Sequence, residues 1–221
     1  MTAAPTDAAA VAERVRQLRE RVAALAGGRP VTIVAVTKGF GAEAIAAAQA
    51  AGLEHIGENY AQEVVAKAVL LGSDPALDWH FLGRLQRNKV RTLVGIIDVW
   101  QSIDRIELID ELARRAPGAR VLIQANLSGE LHKGGAAMDE VPALVDHART
   151  VGLEVEGLMG VGPEGPAELA RPGFRALVAL ADALDLSERS IGMSADLEVA
   201  LQEGSTMIRV GSSLFGPRPG R

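Results

Sequence analysis

The sequence predicts an α/β protein, a (β/α)8 TIM barrel with an additional N-terminal helix. Eight short apolar segments rich in β-branched residues alternate with helical segments along the chain. These segments lack polar alternation, which is typical of parallel strands covered on both faces. The 221 residues suit a single barrel domain, 1–221, because such barrels commonly take ~200–250 residues. An open doubly wound sheet is the alternative.

The elements follow in the order that a barrel requires. A helical pattern of apolar residues begins at Asp7 and ends at Gly27-Gly28. Apolar runs bounded by glycines and loops then predict strands at residues 31–37, 53–57, 79–82, 96–101, 119–126, 153–159, 190–193 and 206–210. Segments with a helical period predict crossover helices at residues 42–51, 59–71, 86–94, 105–116, 138–151, 166–184 and 196–202. An interruption of the 166–184 helix is expected near Pro172-Gly173.

Composition excludes several classes of protein. The formal net charge of −5 argues against general nucleic-acid binding, which needs a basic surface. The absence of cysteine excludes disulfides, thiolate metal sites and cysteine nucleophiles. Residues 1–7 lack the basic and apolar segments of a secretory signal, and no window reaches the ~18 apolar residues of a membrane helix. The sequence therefore predicts a soluble cytoplasmic protein.

Lys38 ends the first apolar strand and is followed at once by Gly39. Barrels bind their ligands at the carboxyl ends of the strands, so this lysine is expected at the mouth. Partial desolvation there favours the neutral amine, which is a nucleophile toward an aldehyde or ketone. On its own, Lys38 could also be an ordinary solvated lysine at a strand end.

The last strand runs into Gly211-Ser212-Ser213, a turn that offers N–H groups and hydroxyls to a phosphate. Ser194 follows the seventh strand, and barrels frequently bind phosphate with the loops after strands seven and eight. Ordinary turns use the same residues, so the prediction depends on this position after the last strand. A Schiff-base lysine together with a phosphate turn indicates pyridoxal 5′-phosphate as the cofactor.

Polar residues at the other strand ends would meet at the same mouth of a barrel: Glu58, Asn59, Tyr60, His80, Gln101, Ser102, Asp104, Gln124 and Asn126. Asp104 and Ser194 also suit helix caps, and the cap is favoured for Asp104. His80 is predicted as a cofactor contact, with a satisfied core histidine as the alternative. The other histidines show no metal-ligand spacing with carboxylates, so no metal site is expected.

Arg209 lies inside the apolar last strand, where an arginine is rarely buried without a partner. Facing a pyridine nitrogen, it would donate a hydrogen bond but hardly a proton, since the pKa of arginine stays above ~12. The ring would then be a poor electron sink, so the cofactor would be held but weakly activated. The alternative is an ion pair with a core carboxylate such as Glu58.

The chain resembles the pyridoxal phosphate homeostasis protein family, single-domain relatives of the alanine racemase N-terminal barrel. The matching stretches are Val34-Ala-Val-Thr-Lys38, Gly57-Glu-Asn-Tyr60, Trp79-His-Phe-Leu-Gly83 with Leu85-Gln86 and Asn88-Lys89, Gly157-Leu-Met159, Gly192-Met-Ser194, Gly204-Ser-Thr-Met-Ile-Arg-Val-Gly211 and Phe215-Gly216. They run in order over nearly the whole chain.

The resemblance implies a monomeric or weakly associating barrel that carries pyridoxal phosphate on Lys38. It also implies that Arg209 faces the pyridine nitrogen and that the phosphate is held by Ser194, Gly211 and Ser212.

Three further roles follow from the same resemblance. Asn59 and Met193 line the site, and Lys133 handles the cofactor from the glycine-rich loop 128–135, which is expected to be mobile. The chain departs from the family at Ser212, where relatives often have threonine, and at Arg84, where proline is common.

The predicted function is to buffer and deliver pyridoxal phosphate without turnover, with apo forms of enzymes that use this cofactor as possible recipients. The alternative is an amino-acid racemase, which needs a second acid/base group, normally a tyrosine from a second domain and a dimer partner. This chain has one tyrosine, Tyr60, expected to lie to the side of Lys38, and no second domain is expected. A cofactor-free Schiff-base aldolase is a third interpretation, which the Gly-Ser-Ser turn disfavours.

Overall fold

The structure is a computed structural model that describes residues 7–72 and 74–217. Eight parallel strands close into a barrel in sequence order: β1 (Thr32–Val36), β2 (His55–Glu58), β3 (Asp78–Phe81), β4 (Val99–Ile103), β5 (Arg120–Asn126), β6 (Glu154–Val161), β7 (Glu188–Ser190) and β8 (Met207–Val210). The α-helices of the described residues are α1 (Ala8–Leu25), α2 (Ala42–Ala50), α3 (Ala61–Leu71), α4 (Arg87–Leu93), α5 (Ile106–Arg115), α6 (Val141–Thr150), α7 (Arg171–Ala183), α8 (Leu197–Glu203) and α9 (Ser212–Phe215).

Pairing of β1 with β8 closes the sheet, with Val34 opposite Arg209 and Ala35 opposite Val210. The predicted barrel is therefore confirmed, and the open sheet is wrong. All strands run the same way, so their carboxyl ends meet at one face of the barrel. The prediction about an N-terminal signal concerns residues 1–7, of which 1–6 lie outside the described residues.

The additional N-terminal helix is present and covers the junction between the first and last units of the barrel. Its N-cap is Asp7, whose Oδ1 accepts hydrogen bonds from the N–H groups of Ala9 at 3.0 Å and Ala10 at 3.3 Å. The buried apolar face of α1 packs against α2, α8 and α9. Arg14 Nη1 also donates to the carbonyl of Leu214 at 2.9 Å. α1 therefore braces α9, the short helix that follows the last strand at the mouth.

The apolar residues form two clusters. The large one lies between the strands and the surrounding helices. The small one, Val99, Leu122 and Met159, fills the interior of the barrel with Val161 packed against it. Within the described residues, no helix is long and apolar enough to span a membrane.

Two predicted strands are displaced. The strand predicted at 96–101 is β4, Val99–Ile103, because the N–H groups of Ile96 and Ile97 still bond to the Leu93 carbonyl at the end of α4. The strand predicted at 190–193 is β7, Glu188–Ser190. Polar side chains concealed its start, since Thr206 Oγ1 donates to Glu188 Oε2 at 2.8 Å.

The 166–184 helix is interrupted earlier than predicted. A 3₁₀ helix, Ala167–Ala170, precedes α7, which begins at Arg171. Pro172 lies in the first turn of α7, where its missing N–H leaves no helical hydrogen bond unmade.

A buried ion pair anchors α3 beneath the mouth. Lys67 Nζ lies 2.5 Å from Glu58 Oε1 and donates to the Thr37 carbonyl at 2.8 Å. Thr37 Oγ1 donates to the same Glu58 oxygen at 2.5 Å. Because Lys38 follows Thr37 and Asn59 follows Glu58, this cluster fixes the backbone that presents both residues to the mouth.

Candidate functional site

A cavity of about 720 Å³ opens at the carboxyl ends of the strands. Its walls come from the strand ends and the loops that follow them, as expected for a ligand site of a barrel. The lining residues are Val36, Lys38, Phe40, Asn59, Tyr60, Leu82, Gly83, Arg84, Gln124, His132, Lys133, Met159, Val161, Met193, Ser194, Ala195, Arg209, Gly211 and Ser212. Every predicted cofactor residue except His80 is among them.

Lys38 lies half-buried in the turn directly after β1. A Cβ added to Gly211 would lie 2.9 Å from the Val36 carbonyl oxygen, so only glycine lets the turn after β8 approach the end of β1 this closely. The rings of Phe40 and Phe215, with centroids 5.3 Å apart, also pack the two turns together. The predicted lysine and phosphate turn are therefore neighbours.

Three serine hydroxyls from two loops converge beside Gly211. Ser194 Oγ lies 3.1 Å from Ser213 Oγ and 3.3 Å from Ser212 Oγ. Ser212 and Ser213 open α9, so the site combines the loops after strands seven and eight with a short extra helix. We call Ser194, Ser212 and Ser213 the serine cluster. Its exposed hydroxyls can all turn their protons toward a phosphate.

The cap predictions for Ser194 and Asp104 are wrong. The N-cap of α8 is Asp196, whose Oδ1 accepts from the Met193 N–H at 2.6 Å. The N-cap of α5 is Arg105, and Asp104 Oδ2 instead accepts from the Gly135 N–H at 3.3 Å. Asp104 thereby ties the 128–135 loop to the end of β4.

Arg209 is buried and bonds to neighbouring strands. Its Nη1 donates to the Ser190 carbonyl at 2.5 Å and to Ser190 Oγ at 2.6 Å, and Nη2 donates to the Gly160 carbonyl at 2.9 Å. The alternative ion pair with Glu58 is wrong, because Glu58 is bonded to Lys67 and Thr37.

Two N–H groups of this guanidinium, Nε–H and one on Nη2, have no protein partner within the described chain, although Arg209 lines the cavity. Burial lowers the pKa of Arg209 to about 10, below the value expected from the sequence. At neutral pH the group is still a cation that can only donate hydrogen bonds.

Asn59 supplies an unmatched acceptor to the same wall. Its Oδ1 is buried and has no hydrogen-bond partner among the described residues. A buried amide oxygen without a partner is costly, which is typical of a site shaped for a ligand donor. Met193 lines the cavity on the side of the serine cluster.

Lys133 lies in the 128–135 loop and reaches back over the rim. Its Nζ donates to Glu130 Oε1 at 2.7 Å and to the Gly162 carbonyl at 3.0 Å, and Gln124 Nε2 donates to its carbonyl at 2.9 Å. These bonds connect the loop to the ends of β5 and β6 around the cavity. The mobility of the loop stays a prediction.

His80 lies inside the barrel and is absent from the cavity wall. Its Nε2 is 3.0 Å from His55 Nδ1, and its Nδ1 is 2.7 Å from Gln101 Nε2. Burial lowers the pKa of His80 to about 3, so the ring is neutral. This geometry favours the satisfied core histidine over the predicted cofactor contact.

Sequence reasoning missed the apolar lining, including Val36, Met159 and Val161. The two-residue spacing of Met159 and Val161 along β6 was a usable signal, but a strand buried on both faces does not reveal which face points inward. It also missed the grouping of His55, Asp78 and His80, whose potential ligand atoms lie within 4.8 Å of one another.

The fold and the site define a barrel of the alanine racemase N-terminal type: the sequence model of the alanine racemase N-terminal domain family matches residues 6–219. The pyridoxal phosphate homeostasis protein of Pseudomonas aeruginosa is 39% identical over 222 residues, covering 94% of this chain and 96% of that protein. The chain belongs to the pyridoxal phosphate homeostasis protein family.

Solved structures agree with this assignment. PipY of Synechococcus elongatus, solved with PLP bound, superposes with a TM-score of 0.83 at 34% identity, covering 93% of this chain and all of that chain (100%). An alanine racemase of Corynebacterium glutamicum superposes with a TM-score of 0.72 at 19% identity, which shows the fold alone. The superposition covers 97% of this chain and 62% of the racemase.

Proposed function

We propose that this protein binds pyridoxal 5′-phosphate covalently through a Schiff base on Lys38, and that it buffers and delivers the cofactor without turnover. The observation that carries the proposal is a single cavity that joins Lys38, the serine cluster and the buried guanidinium of Arg209. These groups match the aldehyde, the phosphate and the ring nitrogen of the cofactor. PipY, solved with PLP bound, supports the same assignment.

Each part of the cavity has a separate task. The serine cluster and the Gly211 turn offer donors to the phosphate, and Asn59 Oδ1 accepts from a donor on the ligand. When bound, the cofactor supplies an aldehyde that condenses with an amine, with release of water. Thr37 and its ion-paired neighbours hold the backbone of Lys38 in place for this bond.

Arg209 supports the proposed absence of turnover. Its pKa of about 10 keeps its protons on the guanidinium, so it offers the ring nitrogen a hydrogen bond instead of a proton. An unprotonated ring withdraws electrons poorly and stabilises a carbanion poorly. The site therefore holds the cofactor and activates it weakly.

The direct test is spectroscopic. Purified protein titrated with the cofactor should gain a visible absorbance band, and borohydride followed by peptide mapping should place the modification on Lys38. Loaded protein should then restore activity to an apo enzyme that requires this cofactor. Transfer faster than spontaneous release would support direct delivery. Absence of a stoichiometric band at saturating cofactor would overturn the proposal.

A racemase is the second candidate, because Tyr60 lines the same cavity as Lys38. Tyr60 was expected to lie to the side of Lys38, but it is still part of the cavity wall. We nevertheless expect no interconversion of L- and D-alanine above background, since Arg209 leaves the ring nitrogen unprotonated. Chiral chromatography of overnight reactions provides the measurement. Steady racemisation that both Lys38→Ala and Tyr60→Phe abolish would contradict the binding role.

Replacing Lys133 with alanine should speed exchange of bound cofactor by about 2–10-fold, which corresponds to the loss of one or two hydrogen bonds at the rim. The thermal midpoint should change little, because the loop is peripheral to both apolar clusters. Stopped-flow displacement with excess free cofactor measures the rate. Glu130→Gln removes only the charge of the partner and should give an intermediate rate. An unchanged rate in Lys133→Ala would remove the gating role.

Three finer predictions belong to the same proposal: the recipients are apo enzymes that use this cofactor, the barrel is monomeric, and it acts in the cytoplasm. Light scattering of loaded protein tests the second of these.

A further inference from the structure

A continuous chain of hydrogen bonds crosses the interior of the barrel from Arg209 to His55. Arg209 Nη1 lies 2.6 Å from Ser190 Oγ, which lies 2.7 Å from Gln101 Oε1. Gln101 Nε2 lies 2.7 Å from His80 Nδ1, and His80 Nε2 lies 3.0 Å from His55 Nδ1. We call these five residues the interior chain.

The donor-only character of Arg209 fixes the first bond of the interior chain. The Gln101 amide, with its Oε1 facing Ser190 and its Nε2 facing His80, sets the other bonds in the same direction. Because a guanidinium cannot accept, Ser190 Oγ accepts a hydrogen bond from Arg209. The Ser190 hydroxyl in turn donates a hydrogen bond to Gln101 Oε1. The Gln101 amide then donates to His80 Nδ1, so the proton of the neutral His80 ring lies on Nε2. That proton is donated to His55 Nδ1, and all four bonds point from the mouth toward the opposite end of the barrel.

The two ends of the interior chain differ in their access to water. Ser190 and Gln101 are fully buried, and His80 and Arg209 are 1% and 4% exposed. His55 begins β2 at the end of the barrel opposite the cavity, and its side chain is 33% exposed. His55 is therefore the member that can exchange protons with solvent.

Several charged groups face His55 or its partners. Asp78 on β3 lies 3.5 Å from His55 Nδ1, and Arg120 on β5 lies 3.5 Å from the same Asp78 oxygen. Arg120 also pairs with Glu156 on β6 at 2.5 Å. Asp98, just before β4, accepts from the Trp79 N–H at 2.8 Å.

We propose that Gln101 and Ser190 are positioning residues for Arg209, and that the interior chain couples the orientation of its guanidinium to the protonation of His55. The inference rests on the proposed function in one respect: Arg209 is taken to face the ring nitrogen of bound cofactor.

Protonation of His55 places an N–H on Nδ1, facing the Nε2–H of His80 across 3.0 Å. The interior chain relieves this clash by reversing: His80 moves its proton to Nδ1, and the Gln101 amide turns over. Ser190 Oγ then accepts from both Gln101 and Arg209, and its own proton has no acceptor among the contacts of the described chain. A hydroxyl that no longer donates is a weaker acceptor, because the hydrogen bonds of a chain polarise one another. The reversed state therefore weakens the bond from Arg209 to Ser190 Oγ, while the bonds to the Ser190 and Gly160 carbonyls remain.

The grouping of His55, Asp78 and His80 does not suit a metal ion in this arrangement. The proton that the interior chain places on His80 Nε2 occupies the lone pair a metal would need, and Arg120 already neutralises Asp78. Zinc binding at this site would contradict the proposal.

The first experiment uses the protein without cofactor, so it does not depend on the proposed function. Long-range ¹H–¹⁵N spectra of the imidazoles should show His80 protonated on Nε2 at about pH 8. On acidification to about pH 5, the Arg209 Nε–H resonance should shift with the same midpoint as His55. In His55→Gln, which accepts from His80 but cannot titrate, Arg209 should stay constant. An Nδ1–H tautomer of His80, or a His55 titration that leaves Arg209 unmoved, would overturn the proposal.

The second experiment measures cofactor affinity in wild type and His55→Gln across the same pH range. The ratio of the two dissociation constants cancels the ionisations of the cofactor itself. We expect the ratio to be near one at high pH. At low pH, wild type should bind the cofactor about 3–10-fold more weakly than His55→Gln, which corresponds to the contribution of one hydrogen bond. A ratio that is flat with pH would overturn the coupling, whereas failure of both proteins to bind at any pH would overturn the proposed function.

Discussion

Replacing Lys38 with alanine should abolish the visible absorbance band of bound cofactor and weaken its binding by about 100-fold or more, roughly 2.7 kcal/mol. Lys38 is the lysine that β1 delivers to the cavity beside the Gly211 turn. Without its amine, only hydrogen bonds to the phosphate and the ring would remain. Difference spectra and equilibrium dialysis with the cofactor provide the two measurements.

Lys133→Ala is the matched control for this prediction. Lys133 lines the same cavity, but its Nζ is bonded to Glu130 and to the Gly162 carbonyl at the rim. The control should keep the band at full amplitude. Borohydride labelling of another lysine while Lys38 is intact would show that the covalent site has been assigned to the wrong residue.

Because barrels bind ligands at the carboxyl ends of their strands, much of this site could be predicted from the sequence. Lys38, Ser194 and Ser212 each follow an apolar strand, and closure of the barrel necessarily brings such positions to one mouth. Arg209 could be recognised because a charge inside an apolar strand needs a special partner. In each case a local feature of the sequence identified the residue, and closure of the barrel brought these residues together.

The roles of His80 and Gln101 could not be predicted in the same way. Both lie on strands buried on two faces, so nothing in the sequence separates a residue at the mouth from one deep inside the barrel. Their partners, His55 and Ser190, come from other strands and are visible only once the barrel register is known. Likewise, the polar Glu188, whose carboxylate accepts a hydrogen bond from Thr206, made the start of β7 look like a loop.

The serine cluster carries the second large prediction. Ser194→Ala with Ser212→Ala should weaken binding of the phosphorylated cofactor by about 10–150-fold per hydroxyl, since charge-assisted hydrogen bonds are worth ~1.5–3 kcal/mol each. The visible band should still form at saturation, because Lys38 is untouched. Spectroscopic titrations of single and double variants measure the loss.

Free pyridoxal, which has the aldehyde but no phosphate, separates anchoring from covalent chemistry. Its affinity should be nearly the same in wild type and in the double variant, since the serine cluster faces only the phosphate. Ser187→Ala is the matched control, because this exposed serine lies before β7, at the opposite end of the barrel from the cavity. It should leave both affinities unchanged. Equal losses for pyridoxal and its phosphate would mean that the serines support the fold of the mouth, and the phosphate would then have to be placed elsewhere in the cavity.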